Sequence, residues 1–111
     1  MNWADDNHSR WKDEELRRAA KIDLNQPEIV EALRALPGVI VRSLAGLGDG
    51  INDLLVITEP ATFLIEVKMP GETLTPKQKD WHRECRWRNH VAYDVESAVA
   101  IAKYYLGKKV A

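Results

Sequence analysis

The clearest pattern in the chain is a pair of strand-like apolar runs, residues 50–57 and 62–68, separated by four residues that include Pro60. Two such runs around a short loop predict a β-hairpin. Both faces of the pair are mostly apolar, which is typical of central strands that are covered on both sides. The charged exceptions are Asp53, Glu66 and Lys68, which all fall at one end of the hairpin.

Asp53 and Glu66 are expected to lie side by side. If Ile57 pairs with Thr62, the antiparallel register puts the two carboxylates opposite each other, with Cβ atoms about 4.5–5.5 Å apart. Lys68 follows Glu66 by two residues and so shares its face. Because like charges so placed repel, the pattern favours a bound divalent cation with an ammonium beside it. The alternative is a surface ion pair at the strand end.

A helix precedes the hairpin. Asn25 is a candidate N-cap, Pro27 suits the first turn, and Pro37 with Gly38 marks the end,. Glu28 stands three residues after the cap, at the edge of the apolar stripe, where it could complete a capping box or reach the hairpin site. Both roles remain open at this point.

A first strand over residues 38–44 and a glycine-rich loop over 45–50 connect this helix to the hairpin. The glycines alternate as in a dinucleotide fingerprint, but a strand and not a helix follows them, which excludes that reading. The loop is expected to bring its backbone close to a ligand. Asp49 within it is either a metal ligand or a turn residue.

After the hairpin, Thr75 and Pro76 open a second helix,. Gln78, Trp81, Cys85 and Arg88 recur on one face of it, so Gln78 is expected to face the sheet near Lys68. His82 could touch a substrate, although a lone helical histidine is more often a packing residue. The other faces carry a basic flank of candidate phosphate contacts: Lys77, Lys79, Arg83 and Arg86.

A last strand is predicted over residues 91–95, followed by a helix over 97–106 with Val99, Ala102 and Leu106 facing inward. The order of elements is then αβββαβ, and a strand–helix–strand crossover of this kind is normally parallel. Residues 1–24 read as a charged N-terminal helical arm, and residues 25–111 as the main domain.

Composition narrows the class of protein. A chain of 111 residues with 45% apolar and 30% charged residues fits one soluble domain,. No apolar run is long enough to span a membrane, and the lone Cys85 excludes an internal disulfide and fits a reducing compartment. We therefore expect a cytoplasmic protein. Residues 76–111 carry eight Lys or Arg against four Asp or Glu, so this third could meet phosphates,.

Asp53 followed by Glu66-Val67-Lys68 resembles the D…(E/D)xK signature of the PD-(D/E)xK nuclease superfamily, whose core is also αβββαβ. Gln78-x-x-Trp81 after a proline-opened helix is similar to the VRR-nuc branch, especially its small stand-alone phage-type members. The likeness covers residues 25–106. One departure is Asn52, where the family has a proline that shapes the backbone before the aspartate.

The resemblance implies a restriction-endonuclease-like α/β fold, in which a mixed four-stranded sheet is flanked by helices. It implies Mg²⁺, or alternatively Mn²⁺, bound by Asp53, Glu66 and the Val67 carbonyl. Its catalytic set by position is Asp53, Glu66, Lys68, Gln78 and Glu28. Family members of this type resemble Holliday-junction resolvases and act as homodimers.

The sequence therefore predicts a metal-dependent endonuclease that hydrolyses branched or otherwise structured DNA. Two other functions stay open. One is a nucleic-acid-binding module that keeps the fold without cutting, with the basic third as its contact surface. The other is a small interaction protein whose acidic pair holds a structural metal.

Overall fold

The computed structural model describes residues 24–44, 46–47 and 50–108. The elements in chain order are α1 (Gln26–Arg34), β1 (Ile40–Ser43), β2 (Leu54–Ile57), β3 (Thr62–Val67), α2 (Pro76–Glu84), a 3-10 helix (Arg86–Arg88), β4 (Asn89–Ala92) and α3 (Val95–Leu106). This order confirms the αβββαβ core. The predicted N-terminal helix and Asp49 lie outside the described residues.

The four strands form one mixed sheet in the order β1-β2-β3-β4. The pairs β1–β2 and β2–β3 are antiparallel, and β4 returns parallel to β3 after α2. Ile57 pairs with Thr62 and Leu55 with Leu64, which confirms the predicted hairpin register. The charged end of the hairpin therefore has the strand pairing that the alternation of side chains predicts.

Helices α1 and α3 pack together and cover one face of the sheet. Phe63 of β3 stacks on Tyr105 of α3 with ring centroids 4.1 Å apart. The buried apolar core is made of Ile29, Leu33, Val41, Leu54, Val56, Phe63, Ile65, Val67, Ala92, Ala98, Ala102 and Tyr105.

The opposite face of the sheet is less covered than predicted. Leu55, Ile57 and Leu64 point to that face and are only half-buried. Helix α2 reaches the end of this face through Gln78, which contacts Glu66. The expectation that both faces are covered therefore holds fully for one face only.

The last strand and helix begin earlier than predicted. The side chain of Asp94 accepts a hydrogen bond from the Ser97 N–H at 2.7 Å, and the Ser97 hydroxyl accepts one from the Asp94 N–H at 3.2 Å. This capping box starts α3 at Val95, so β4 ends at Ala92,. The inward positions of α3 are Ala98, Ala102 and Tyr105, which confirms Ala102 but not Val99 and Leu106.

Helix α2 ends at Glu84, so Arg88 does not continue its inward face as predicted. Cys85 has the backbone angles φ −121° and ψ 38°, which leave the helical region and begin the 3-10 turn. No helix in the described part of the chain is long and apolar enough to cross a membrane.

Candidate active site

Asp53 stands immediately before β2 and is held on both sides. Its carbonyl accepts the Leu44 N–H at 2.8 Å, which continues the β1–β2 pairing by one step. Its side-chain Oδ2 accepts the Val67 N–H at 2.8 Å, at the end of β3. The Asp53 carboxylate thus joins the start of β2 to the end of β3.

Glu66 is a buried carboxylate next to this contact. Its side chain is 4% exposed, and that of Lys68 is 13% exposed, with Nζ 3.9 Å from Glu66 Oε2. The same Oε2 accepts a hydrogen bond from Gln78 Nε2 at 3.0 Å. A buried charge is costly unless it is paired and hydrogen-bonded, and Lys68 with Gln78 supplies both compensations.

Gln78 is fixed by the start of α2. The Thr75 hydroxyl accepts the Gln78 N–H at 3.2 Å, while Gln78 Oε1 accepts the Thr75 N–H at 2.9 Å. This capping box uses the oxygen of the Gln78 amide and leaves its nitrogen for Glu66. The cap of the helix thus also orients the side chain that touches the buried carboxylate.

The glycine-rich loop packs against α2. Gly50 has φ +78°, and a Cβ built there would lie 2.5 Å from both the carbonyl carbon and oxygen of Lys77. The loop backbone was predicted to approach a ligand, whereas Gly50 lies against the first turn of α2. Only glycine allows both this conformation and this contact.

The geometry brings Asp53, Glu66, Lys68 and Gln78 together at one end of the β2–β3 pair. Among the described residues, no group of three or more His, Cys, Asp or Glu side chains is arranged to hold a metal ion. The side-chain oxygen ligands at this end are those of two carboxylates.

The VRR-NUC domain model matches residues 7–101, which is most of the chain. The chain belongs to the VRR-NUC domain family. A solved structure described as a VRR_NUC domain is similar to it, with a TM-score of 0.53 and 27% sequence identity over 78% of this chain and 95% of that one. No curated protein matches. These findings confirm the nuclease-type family and the α/β fold inferred from the sequence.

Asn52 is the residue whose role the sequence did not reveal. In this VRR-NUC chain it is 1% exposed, and its Oδ1 accepts the Trp81 indole N–H at 2.5 Å. Its Nδ2 donates to Asn89 Oδ1 and lies 3.4 Å from His82 Nε2. The residue that replaces the family's proline therefore joins the segment before Asp53 to α2 and β4.

A signal for this network was present in the sequence. Asn52 and Asn89 are polar positions next to buried apolar strand residues, where an amide must find hydrogen-bond partners. His82 contacts this network, which is the packing role considered above. Its pKa is lowered from the usual value by burial and then by the charge of His90.

Glu28 does not form the predicted capping box. Asn25 is the residue before α1, but its side chain makes no cap and donates instead to the carbonyls of Tyr93 at 2.7 Å and Lys68 at 3.4 Å. These bonds bring the start of α1 to the end of β3. Glu28 is exposed, and no hydrogen bond or ion pair among the described residues joins it to Asp53.

The predicted basic flank is exposed and divides between two elements. Lys77, Lys79 and Arg83 lie on α2, the helix that carries Gln78, whereas Arg86 begins the 3-10 helix. Arg83 forms a surface ion pair with Asp80 at 3.1 Å. Such exposed pairs contribute little to stability.

Proposed function

We propose that this VRR-NUC domain is a metal-dependent endonuclease that hydrolyses DNA phosphodiester bonds. The observation that carries the proposal is the Asp53 carboxylate held by the Val67 N–H, directly beside the buried Glu66–Lys68 pair. Apolar residues would pack at the end of a β-hairpin better than two carboxylates and an ammonium do. These charged side chains therefore favour a chemical role over a packing role.

The donor set suits Mg²⁺, with Mn²⁺ as an alternative. Mg²⁺ prefers oxygen ligands and is commonly bound through one or two carboxylates while it keeps several waters. Asp53 and Glu66 would supply two carboxylates, and the Val67 carbonyl would supply a further oxygen. A bound metal would lower the pKa of a water molecule and neutralise charge on the scissile phosphate.

The chain's own residues contribute the remaining chemistry. The Lys68 ammonium can hold the attacking water or stabilise charge that develops on the phosphoryl oxygens. Gln78 fixes the orientation of Glu66 through their 3.0 Å hydrogen bond,. Glu28, at the start of α1, would orient water from the side of the site where β3 ends.

DNA with branched or structured geometry is the proposed substrate, bound along the basic flank of Lys77, Lys79, Arg83 and Arg86. A homodimer would present two such centres to two strands. Light scattering at micromolar protein, with junction DNA present, should give a complex that contains twice the chain's mass in addition to the mass of the DNA. A monomeric mass under these conditions would contradict the dimer but not the chemistry.

A cleavage assay tests the proposed function. Plasmid, flapped, splayed-arm and four-way junction DNA are incubated with the protein and Mg²⁺, Mn²⁺ or EDTA. We expect metal-dependent cleavage of at least one branched substrate and none in EDTA. If the protein still binds DNA in EDTA but cleaves none of the substrates, it is instead a non-cutting binding module.

A further inference from the structure

A second surface of the protein combines exposed aromatic rings with cations. We call it the aromatic–basic patch, and its members are Arg86, Trp87, Arg88, Tyr104 and Lys108. Trp87 is 72% exposed and Tyr104 59% exposed. The patch lies where the 3-10 helix leads into β4, an edge strand of the sheet, and where α3 ends.

The patch is a built surface and not a scatter of side chains. Tyr105, which is 4% exposed, joins its two halves: its hydroxyl donates to the Trp87 carbonyl at 3.4 Å, and its ring meets that of Tyr104 edge-on at 5.2 Å. The Arg88 guanidinium lies 5.5 Å from the Tyr105 ring centroid. Buried Tyr105 thus joins the backbone of Trp87 to the end of α3 that carries Tyr104.

Two cations of the patch lie over aromatic rings. The Arg86 guanidinium lies 5.0 Å from the Trp87 ring centroid, and Lys108 Nζ lies 4.3 Å from that of Tyr104. Residues 85–93 and 97–111 contain no Asp or Glu. A cation over a ring keeps its charge available to an anion, which a salt bridge would neutralise.

We propose that the aromatic–basic patch binds unpaired nucleotides of the DNA substrate. Bases would stack on Trp87 and Tyr104, while Arg86, Arg88 and Lys108 would contact the phosphates. Exposed aromatic rings set among cations are the chemistry that recognises single strands, because every base offers a ring face. The inference rests on the proposed function for the identity of its ligand.

The patch lies along the sheet from the level of the candidate active site. Strand β4 runs parallel to β3, with Asn89 beside Leu64 and Ala92 beside Val67. Arg86, Trp87 and Arg88 precede Asn89 in the chain. At about 3.3 Å per residue, this part of the patch lies about 10 Å or more along β4 from Ala92, the residue beside Val67,. The proposed substrate class is DNA with an unpaired segment beyond the paired region that is cut, such as a flap or splayed arm, in preference to a fully paired four-way junction.

Fluorescence anisotropy in EDTA tests the proposal without cleavage. The labelled probes are a thymidine oligonucleotide and a duplex of equal length. We expect Trp87→Ala and Tyr104→Ala each to weaken oligonucleotide binding by about 10-fold, Trp87→Phe to restore most of it, and duplex binding to change much less. The matched control is Ile40→Ala, which removes an apolar side chain that is 49% exposed at the opposite edge of the sheet.

Three outcomes would overturn the proposal. Unchanged oligonucleotide affinity in both alanine variants would do so, as would no preference of the native protein for single strands. A fall of the light-scattering mass from dimer to monomer in Trp87→Ala would show that the patch contacts a second copy. Metal-dependent cleavage of paired DNA by the native protein in any of these cases would leave the proposed function standing.

Discussion

Asn52 holds together the segments that carry the candidate active site. Its side chain links Trp81 of α2 to Asn89 of β4, and the next residue is the metal-site candidate Asp53. Because the amide is buried, each partner that loses it becomes an unsatisfied polar group. The position of Asp53 therefore depends on a neighbour that has no part in the chemistry.

A double-mutant cycle measures this dependence. Asn52→Ala should lower the free energy of unfolding by about 1–3 kcal/mol, and Trp81→Phe should also destabilise the protein. The double variant should be less destabilised than the sum of the two, by about 0.5–3 kcal/mol, since the two residues share one hydrogen bond. Urea unfolding gives all three values, and strict additivity would contradict a direct Asn52–Trp81 interaction.

Single residues were predicted well where the pattern was periodic. The alternation of the hairpin placed Asp53, Glu66 and Lys68 at one end of the strand pair, although the strand predicted over residues 50–57 begins only at Leu54. Asn52 could not be found in this way, because its partners Trp81 and Asn89 are distant in sequence. An isolated asparagine after a glycine-rich loop reads as a turn residue unless the tertiary contacts are known.

The loop before β2 is in contact with helix α2. Gly50 touches the Lys77–Gln78 peptide, and Gln78 holds Glu66. A side chain at position 50 would meet backbone and not a flexible side chain, so the helix itself would have to shift. The position of Gln78 is then coupled to the size of residue 50.

Gly50→Ala should therefore destabilise the protein by about 1–3 kcal/mol from backbone strain, with a further cost from the clash, and should slow cleavage. Gly71→Ala is the matched control, because Gly71 has φ +92° but nothing within 4 Å of its built Cβ. Thermal unfolding and cleavage rates check both variants. Equal effects of the two substitutions would contradict the contact between the loop and α2.

Element boundaries were less predictable than element types. The sequence placed the last strand over residues 91–95, whereas β4 ends at Ala92. The Asp94–Ser97 capping box decides this boundary locally, and it was present in the sequence as Asp-x-x-Ser. Asn25 shows the limit of such local signals. It is a residue type that favours helix caps, but its side chain bonds the Tyr93 carbonyl instead.

Across the whole molecule, the apolar core and the ionisable groups are separated. Helices α1 and α3 close one face of the sheet, and the charged hairpin end lies on the other with α2. Between the two lie the half-buried histidines His82 and His90. Burial lowers the pKa of both, with a smaller contribution from the neighbouring charge of His90 on His82 and of Arg88 on His90.

These shifts predict how stability depends on pH. In the unfolded chain the histidines titrate near pH 6.5, at about their ordinary value. Because the folded protein binds those protons less readily, the stabilisation is complete above that pH and is lost as the pH falls toward the lower folded values. The urea midpoint should be lower at about pH 5.5 than at about pH 7.5.

The double variant His82→Gln, His90→Gln should show a weaker pH dependence over the same interval, even though its stability is lower throughout. Urea unfolding followed by circular dichroism at several pH values gives the comparison. A native midpoint that does not change with pH, or an equal slope in the variant, would contradict the assignment.

The most direct measurement is the initial rate of DNA cleavage at saturating Mg²⁺ in the native protein and two variants. Asp53→Asn removes one charge from the candidate metal site, and Asp80→Asn removes one from the exposed side of α2. We expect Asp53→Asn to lose at least about 100-fold in rate and Asp80→Asn to stay near the native value. Cleavage by Asp53→Asn at the native rate, or native cleavage that persists in EDTA, would contradict a metal-dependent nuclease centre at the end of the hairpin.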